Sequence, residues 1–599
     1  MADVSTVLVK DSVIGDITPD LTFAVKSGAS SKTFQNFVAT STSNSNLVWN
    51  ITVPSENTVI DREVLVQTGL SFTVRVDGCP ALETAFDYGL LDSLQAFPLA
   101  SIMTTLNAQI NNTSVSINLQ DVLPQLVAMT SKRELQHWNG MTPCLRDQTY
   151  ANYFDGVATN ANPLASIDNA GYDEQLLPRG AHPVSCVIAQ FEADGTYVSA
   201  SPVCTTTGNY FLIAVQTIVC EPLFLSPFIY AHPEFNAQGL LGVNNMVIQC
   251  NINSTLNRLF SASPFSAEGS ALTYAVTSGI DNAFLGHGAT PQPNLFQVSN
   301  ANLLALTSGA SSPQLLLQFL STQASDVIET RNSLPYMDFP RYISPTSGTS
   351  PLGRLVSGTF SASSIQLNQI PDLFIICLRK PIASMTAKDS NSFLKINSIS
   401  INISNTSGLL SSASPYDLWR MSVKNGSTQS WSEFSGQASY KDSATGAGKL
   451  VSTVGSLLVI NPAYDLSLPD YLTDGSIGQF NFQFSVNVTN TVALEGETFS
   501  PEICTITANS GVFVSQQGQS QIFTGLATKE MVLAAKKEKD AVSSVQYARM
   551  IGGKMLNAIG LRQRLHRRGG VGERIVGGMM SGAAMSGGKM KSGKLTALC

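Results

Sequence analysis

Apolar and polar side chains alternate along most of this chain, and the elements they predict are mainly strands. Ile399, Ile401 and Ile403 alternate with Ser400 and Asn402, which places the apolar side chains on one face of a half-buried strand. Leu70, Phe72, Val74 and Val76 alternate in the same way with Ser71, Thr73 and Arg75, and Phe482, Phe484, Val486 and Val488 form a further series. Residues 373–378 differ: they are a continuous apolar run, which predicts a strand buried on both faces. Further strands are predicted over 47–53, 210–219, 246–252, 315–320, 457–460 and 503–514, with only a short edge piece at 223–225 between Pro222 and Pro227. Helix signals are fewer. Ser414 stands at an N-cap position, Pro415 at the first helical position and Asp417 in the first turn, while Tyr416, Leu418, Trp419 and Met421 supply an apolar side. A second helix is expected with Asp121 as its cap.

This strand–turn–helix unit occurs twice. At a shift of 293 residues, Leu106 and Ile110 fall on Ile399 and Ile403, the turn Asn112-Thr113-Ser114 falls on Asn405-Thr406-Ser407, and Asp121 falls on Ser414. A second echo sets 242–252 (GVNNMVIQCNI) on 478–488 (GQFNFQFSVNV), at a shift of 236. The shifts differ by 57 residues, so the first copy should carry an insertion of that size between its helix and its last strand. The insertion falls within 139–208, a stretch rich in Asn, Gly, Ala and Asp that reads as a projecting surface loop. The expected organisation is an arm over 1–40, a first β module over 41–290, a second over 291–526, and a tail over 527–599.

Composition supports two large β modules. The chain has 599 residues, and only 13% of them are charged, against ~25% in ordinary soluble domains. Sheet faces of Ser, Thr and Asn fit that figure, as does a surface that packs against copies of itself, because fewer charges must be desolvated. The net charge of −7 is unevenly spread: residues 549–599 hold ten Lys or Arg against one Glu, which leaves −16 on 1–548. Nine cysteines are scattered with no C-x-x-C, which excludes a disulfide framework or a zinc ribbon and predicts free, mostly buried thiols. The N-terminus lacks the pattern of a signal peptide, and no run of ~18 apolar residues is present.

Signatures of catalysis fail on inspection. Residues 445–449 (TGAGK) resemble part of a phosphate-binding loop, but Ser443 replaces its first Gly and Leu450 its final Ser or Thr. The five histidines show no ligand spacing, and Glu495 and Glu497 read as a solvated loop. No catalytic, cofactor-binding or metal site is expected. The tail is the exception. Helix formers over 527–550 are followed by Lys554, Arg562, Arg564, Arg567, Arg568, Arg574, Lys589, Lys591 and Lys594 in a Gly-rich tract with too few apolar residues to order itself alone. Tethered arginines neutralise phosphates without reading bases. Docking on an internal minor protein or a membrane, and a merely solvated tail, are the other readings.

Residues 393–426, 455–465 and 475–488, set in two tandem β modules with a helix before the later strands of each, resemble the double jelly-roll major capsid proteins of icosahedral DNA viruses (the adenovirus hexon, virophage and polinton-like lineage). The resemblance covers about residues 40–525 and is one of pattern, with no diagnostic short motif. It implies an all-β chain of two eight-stranded jelly-roll sandwiches, three copies forming a pseudo-hexagonal capsomer, and loops facing outward. It also implies a virion protein, made in the host cytoplasm, that contacts itself in the lattice and meets penton or minor capsid proteins. The alternatives are a shell protein of tandem single jelly rolls and a β-sandwich enzyme, carbohydrate-binding protein or adhesin. An adhesin should carry a signal peptide, and an enzyme should show a tight constellation of acids, His or Cys.

Overall fold

In a computed structural model of the protein, the alternating stretches become the strands of two sandwiches. The structure describes most of residues 32–135, 184–228, 239–262, 313–346, 350–441 and 448–528, with a few isolated positions elsewhere. The first sandwich is built from β1 (Lys32–Val38), β2 (Asn46–Thr52), β3 (Leu65–Asp77), β4 (Met103–Ile110), β5 (Thr113–Ile117), β6 (Tyr210–Pro222), β7 (Asn245–Ile252) and β8 (Gln314–Ser321). Helix α1 (Leu119–Met129) lies between β5 and β6. One sheet runs β1-β8-β3-β6 and the other β2-β7-β4-β5.

The second sandwich repeats this plan with two of its strands divided. Its strands are β9 (Asn332–Asp338), β10 (Arg341–Pro345), β11 (Ser357–Ser361), β12 (Ile365–Gln369), β13 (Leu373–Arg379), β14 (Lys395–Ile403), β15 (Thr406–Leu409), β16 (Leu458–Ile460), β17 (Ser476–Thr489) and β18 (Glu502–Gln516). A further strand, β19 (Gln519–Thr524), folds back on β18, and helix α2 (Pro415–Lys424) again follows the fifth position. With β9/β10 as the first position and β11/β12 as the second, both modules have strand order 1-8-3-6 in one sheet and 2-7-4-5 in the other. That order is an eight-stranded jelly roll.

The duplication extends to the register. Leu106 lies opposite Cys250 and Ile110 opposite Met246; at the equivalent positions Ile399 lies opposite Val486 and Ile403 opposite Phe482. The register break between Met103 and Thr105 recurs between Ile396 and Ser398. The turn that follows uses a positive φ at the same place in both copies, 51° at Asn111 and 50° at Ser404. A bulge redirects a strand, so its repetition means that the two copies share a backbone plan and not just a hydrophobic rhythm.

The continuous apolar run has two neighbours. In β13, Phe374, Ile376 and Leu378 enter the second sandwich's own core, while Leu373, Ile375 and Cys377 join a core shared with the first sandwich. The capped helix forms as the sequence predicts: Ser414 accepts from the Asp417 N–H, Asp417 returns the bond, and Pro415 stands at the first position.

Several expectations need correction. Residues 315–320, expected to open the second module, form β8, which pairs with β1 and β3 of the first. Likewise β1 falls in the stretch read as an arm, so the first jelly roll takes in strands on both sides of 41–290 and β7 does not close it. Its pattern is hard to read because Phe34 and Val38 face outward while Phe37 faces the core. Asp121 is not a cap: Asn118 holds that position and Asp121 lies in the first turn, where acidic residues are also favoured. Part of 139–208 is sheet, since Ser185–Phe191 pairs with β6 and Tyr197–Ser199 pairs with it in turn. Residues 223–225 form buried turn structure and no edge strand.

Candidate functional site at the seam between the sandwiches

Helix α1 is buried at every position from 121 to 129 except Pro124. One amphipathic helix on one core would leave a face bare, and here the second sandwich covers it. The Gln125 side chain donates to Cys377 Sγ at 3.3 Å, and the Ala128 carbonyl accepts from both the N–H and the hydroxyl of Thr428. The helix therefore lies between its own core and the outer face of the β9/β10-β18-β13-β16 sheet.

A buried ion cluster fixes the position. Arg379, at the end of the β13 run, is 1% exposed. Its Nη2 pairs with Asp121 Oδ1, its Nε donates to Glu502 Oε1 at 2.7 Å, and Arg341 Nε reaches Asp121 Oδ2 at 2.9 Å. Burial alone would lower the Arg379 pKa, but the adjacent Cys504, Asp121 and Glu502 outweigh it and hold the guanidinium charged. Arg258, which donates to the Gln120 carbonyl, is lowered to about 10 by burial and by the nearby Arg379 charge. Opposite charges from the two sandwiches are thus locked together in a site largely closed to water.

The second contact involves the duplicated turn. Asn112 Oδ1 accepts from the Ser520 N–H at 2.7 Å, the Ser520 hydroxyl donates to the Ile110 carbonyl at 2.6 Å, and Thr113 Oγ1 donates to the Ser520 carbonyl at 2.5 Å. The neighbouring Gly518 N–H donates to the Gly242 carbonyl at 3.0 Å. A Cβ on Gly518, whose φ is +76°, would lie 2.4 Å from Asn244 Nδ2, so this close approach requires glycine. Ser515 and Asn332 add bonds to the carbonyls of Leu241 and Gly239.

The basic residues singled out in the sequence, Lys554, Arg562, Arg564, Arg567, Arg568, Arg574, Lys589, Lys591 and Lys594, all lie outside the described residues. Residues 448–452, which include the lysine of the phosphate-loop-like segment, form a strand paired with Gln437–Lys441. Glu497, read as part of a solvated loop, pairs with Lys380 Nζ at 2.6 Å. Cys144, Cys220, Cys250, Cys377 and Cys504 are free and buried, as the spacing predicts. The seam itself was missed. Its signal was Arg379, a charge directly after a run buried on both faces, which requires a buried partner.

Two jelly rolls with one strand plan, welded through a helix and a turn, define the double jelly-roll class of viral shell proteins. Residues 2–301 match the family model described as the Sputnik virophage major capsid protein 1st domain, and 339–511 match the major capsid protein V20 C-terminal domain. The chain belongs to this virophage major capsid protein family. It is 26% identical over 549 residues to the putative capsid protein V20 of Sputnik virophage, covering 90% of this chain and 82% of that protein. Among solved structures, a chain of the Sputnik virophage structure determined by cryo-electron microscopy matches with a TM-score of 0.67 at 24% identity, covering 91% of this chain and 98% of that one. The mavirus major capsid protein matches with a TM-score of 0.59 at 13% identity, covering 88% and 97%.

Proposed function

We propose that three copies of this chain close into a pseudo-hexagonal capsomer, and that such capsomers tile the icosahedral shell of a virion. The observation that carries this reading is the seam. It holds two jelly rolls of one strand plan side by side, so that three chains supply six similar units. The role is structural and involves no catalysis. The inserted stretch within 139–208 is assigned to the outer surface. The tail is assigned to the interior, where Lys554, Arg562, Arg564, Arg567, Arg568, Arg574, Lys589, Lys591 and Lys594 meet genome phosphates, with an internal minor protein or a membrane as the competing partner. Penton and minor capsid proteins complete the contacts. Light scattering on the purified chain tests the assembly: a particle of three chain masses is expected, and a single chain across a wide concentration range would reject it.

A further inference from the structure

The seam uses two complementary surfaces, and each has an unmated counterpart. On the first sandwich the mated surface is helix α1; on the second it is the outer face of the sheet containing β13 and β18. The duplication leaves helix α2 and the outer face of the β1-β8-β3-β6 sheet as the equivalent surfaces, both without an intrachain partner of this kind among the described residues.

Alignment of the helices at their N-caps, Asn118 with Ser414, makes the comparison specific. Asp121, Gln125 and Ala128 contact the second sandwich, and they correspond to Asp417, Met421 and Lys424. Asp121 is buried against Arg379, whereas Asp417 and Lys424 are exposed and Met421 is half-buried. Beside them Tyr416 is 50% and Trp431 38% exposed, with ring centroids 5.4 Å apart. Trp419 completes the cluster, 5.2 Å from Tyr416. The turn follows suit: Asn112 is bound by Ser520, while its counterpart Asn405 is exposed.

The sheet face shows the same contrast. The outer side chains of β13 and β18 are buried against the first sandwich. On β1 the outward positions Phe34 and Val38 are 71% and 54% exposed, and the adjoining Leu316 on β8 is only half-buried. Large exposed apolar side chains grouped on one sheet face mark an interaction surface.

We propose that the α2 face of one copy, carrying Tyr416, Trp419 and Trp431, seats on the β1–β8 face of a second copy, carrying Phe34, Val38 and Leu316. This deepens the capsomer reading and rests on it. The intrachain seam and the interchain joint are then two versions of one contact. Because each chain offers one helix face and one sheet face, association is head-to-tail, and such contacts close into a ring when the rotation allows.

A mixing experiment tests the joint. The helix-face variant carries Tyr416→Asp with Trp431→Asp, and the strand-face variant carries Phe34→Asp with Val38→Asp. All four residues are exposed, and circular dichroism checks folding. Each variant alone should raise the dissociation constant of the oligomer at least about thirtyfold, the scale of an interface hot spot. Mixed together they should form a two-chain particle through the one intact joint, but no closed ring. Oligomers of unchanged affinity in either variant, or no two-chain particle on mixing, would overturn the joint and leave the capsomer reading standing. If a variant unfolds, oxidative footprinting of the unaltered protein replaces it. Phe34, Tyr416 and Trp431 should be protected in the oligomer relative to diluted chains, and equal labelling would overturn the proposal. An unaltered chain that never associates would remove the capsomer reading, and this joint with it.

Discussion

Asp121 and Arg379 stand 258 residues apart in the chain and form a buried ion pair across the seam. One comes from the first sandwich's helix and the other from the second sandwich's most deeply buried strand. Each charge is tolerated out of water only because the other sandwich supplies its partner. The pair therefore reports on whether the two jelly rolls are docked.

Removal of one partner leaves an uncompensated buried charge. Asp121→Ala or Arg379→Ala should each cost about 3–5 kcal/mol of stability, and Asp121→Leu with Arg379→Leu should cost much less than the sum of the singles. Denaturant titration of the single and double variants measures this. Additive losses would mean that the two residues act independently.

Gly455 should tolerate no side chain. Its φ is +97°, and a Cβ there would lie 1.7 Å from the Phe393 carbonyl oxygen. Gly455→Ala should lower stability by about 2 kcal/mol or more through strain and displacement of that backbone. A melting temperature within a degree of the parent's would contradict this.

Glu221 gives the first sandwich a pH dependence. Its carboxylate accepts from the Leu99 and Ala100 N–H groups at 2.8 and 2.7 Å, yet burial pushes its pKa from 4.5 up to about 7. The folded state then holds a proton that the unfolded chain releases. The contribution is fully present below pH 4.5 and is lost as pH rises through about 7, a change of about 3 kcal/mol. Stability curves of the parent and Glu221→Gln should run parallel below that window and separate through it. Parallel curves from pH 4 to 8 would show that Glu221 does not titrate there.

The tail prediction concerns salt. Replacement of Arg562, Arg564, Arg567 and Arg568 with Ser should reduce the log–log slope of nucleic-acid binding against salt by roughly one for each phosphate that is no longer neutralised. Trimers should be unaffected. An unchanged slope would assign the tail to a protein or membrane partner.

Much of the fold was legible because burial on one face leaves a period of two. Ile399, Ile401 and Ile403 declared their strand, and Ser414 with Asp417 declared a helix start, because local chemistry determines both. The repeat was legible where apolar positions are paired, at Leu106 with Ile399 and at Cys250 with Val486. Strand β1 was not, because Phe34 and Val38 on its outer face break the alternation. Asp121 was misplaced by three residues because a carboxylate suits both the cap and the first turn. Its role depends on Arg379, and no local pattern specifies a partner in the other sandwich. The same limit applies to Ser520 and Asn112.

Electron microscopy of the purified oligomer tests the capsomer most directly, with its mass measured on the same sample. Three chains should produce a ring of six similar lobes, two from each chain, with one intrachain seam and one interchain joint alternating around it. Three chains that produce only three lobes, or a six-lobed ring that contains six chains, would contradict it.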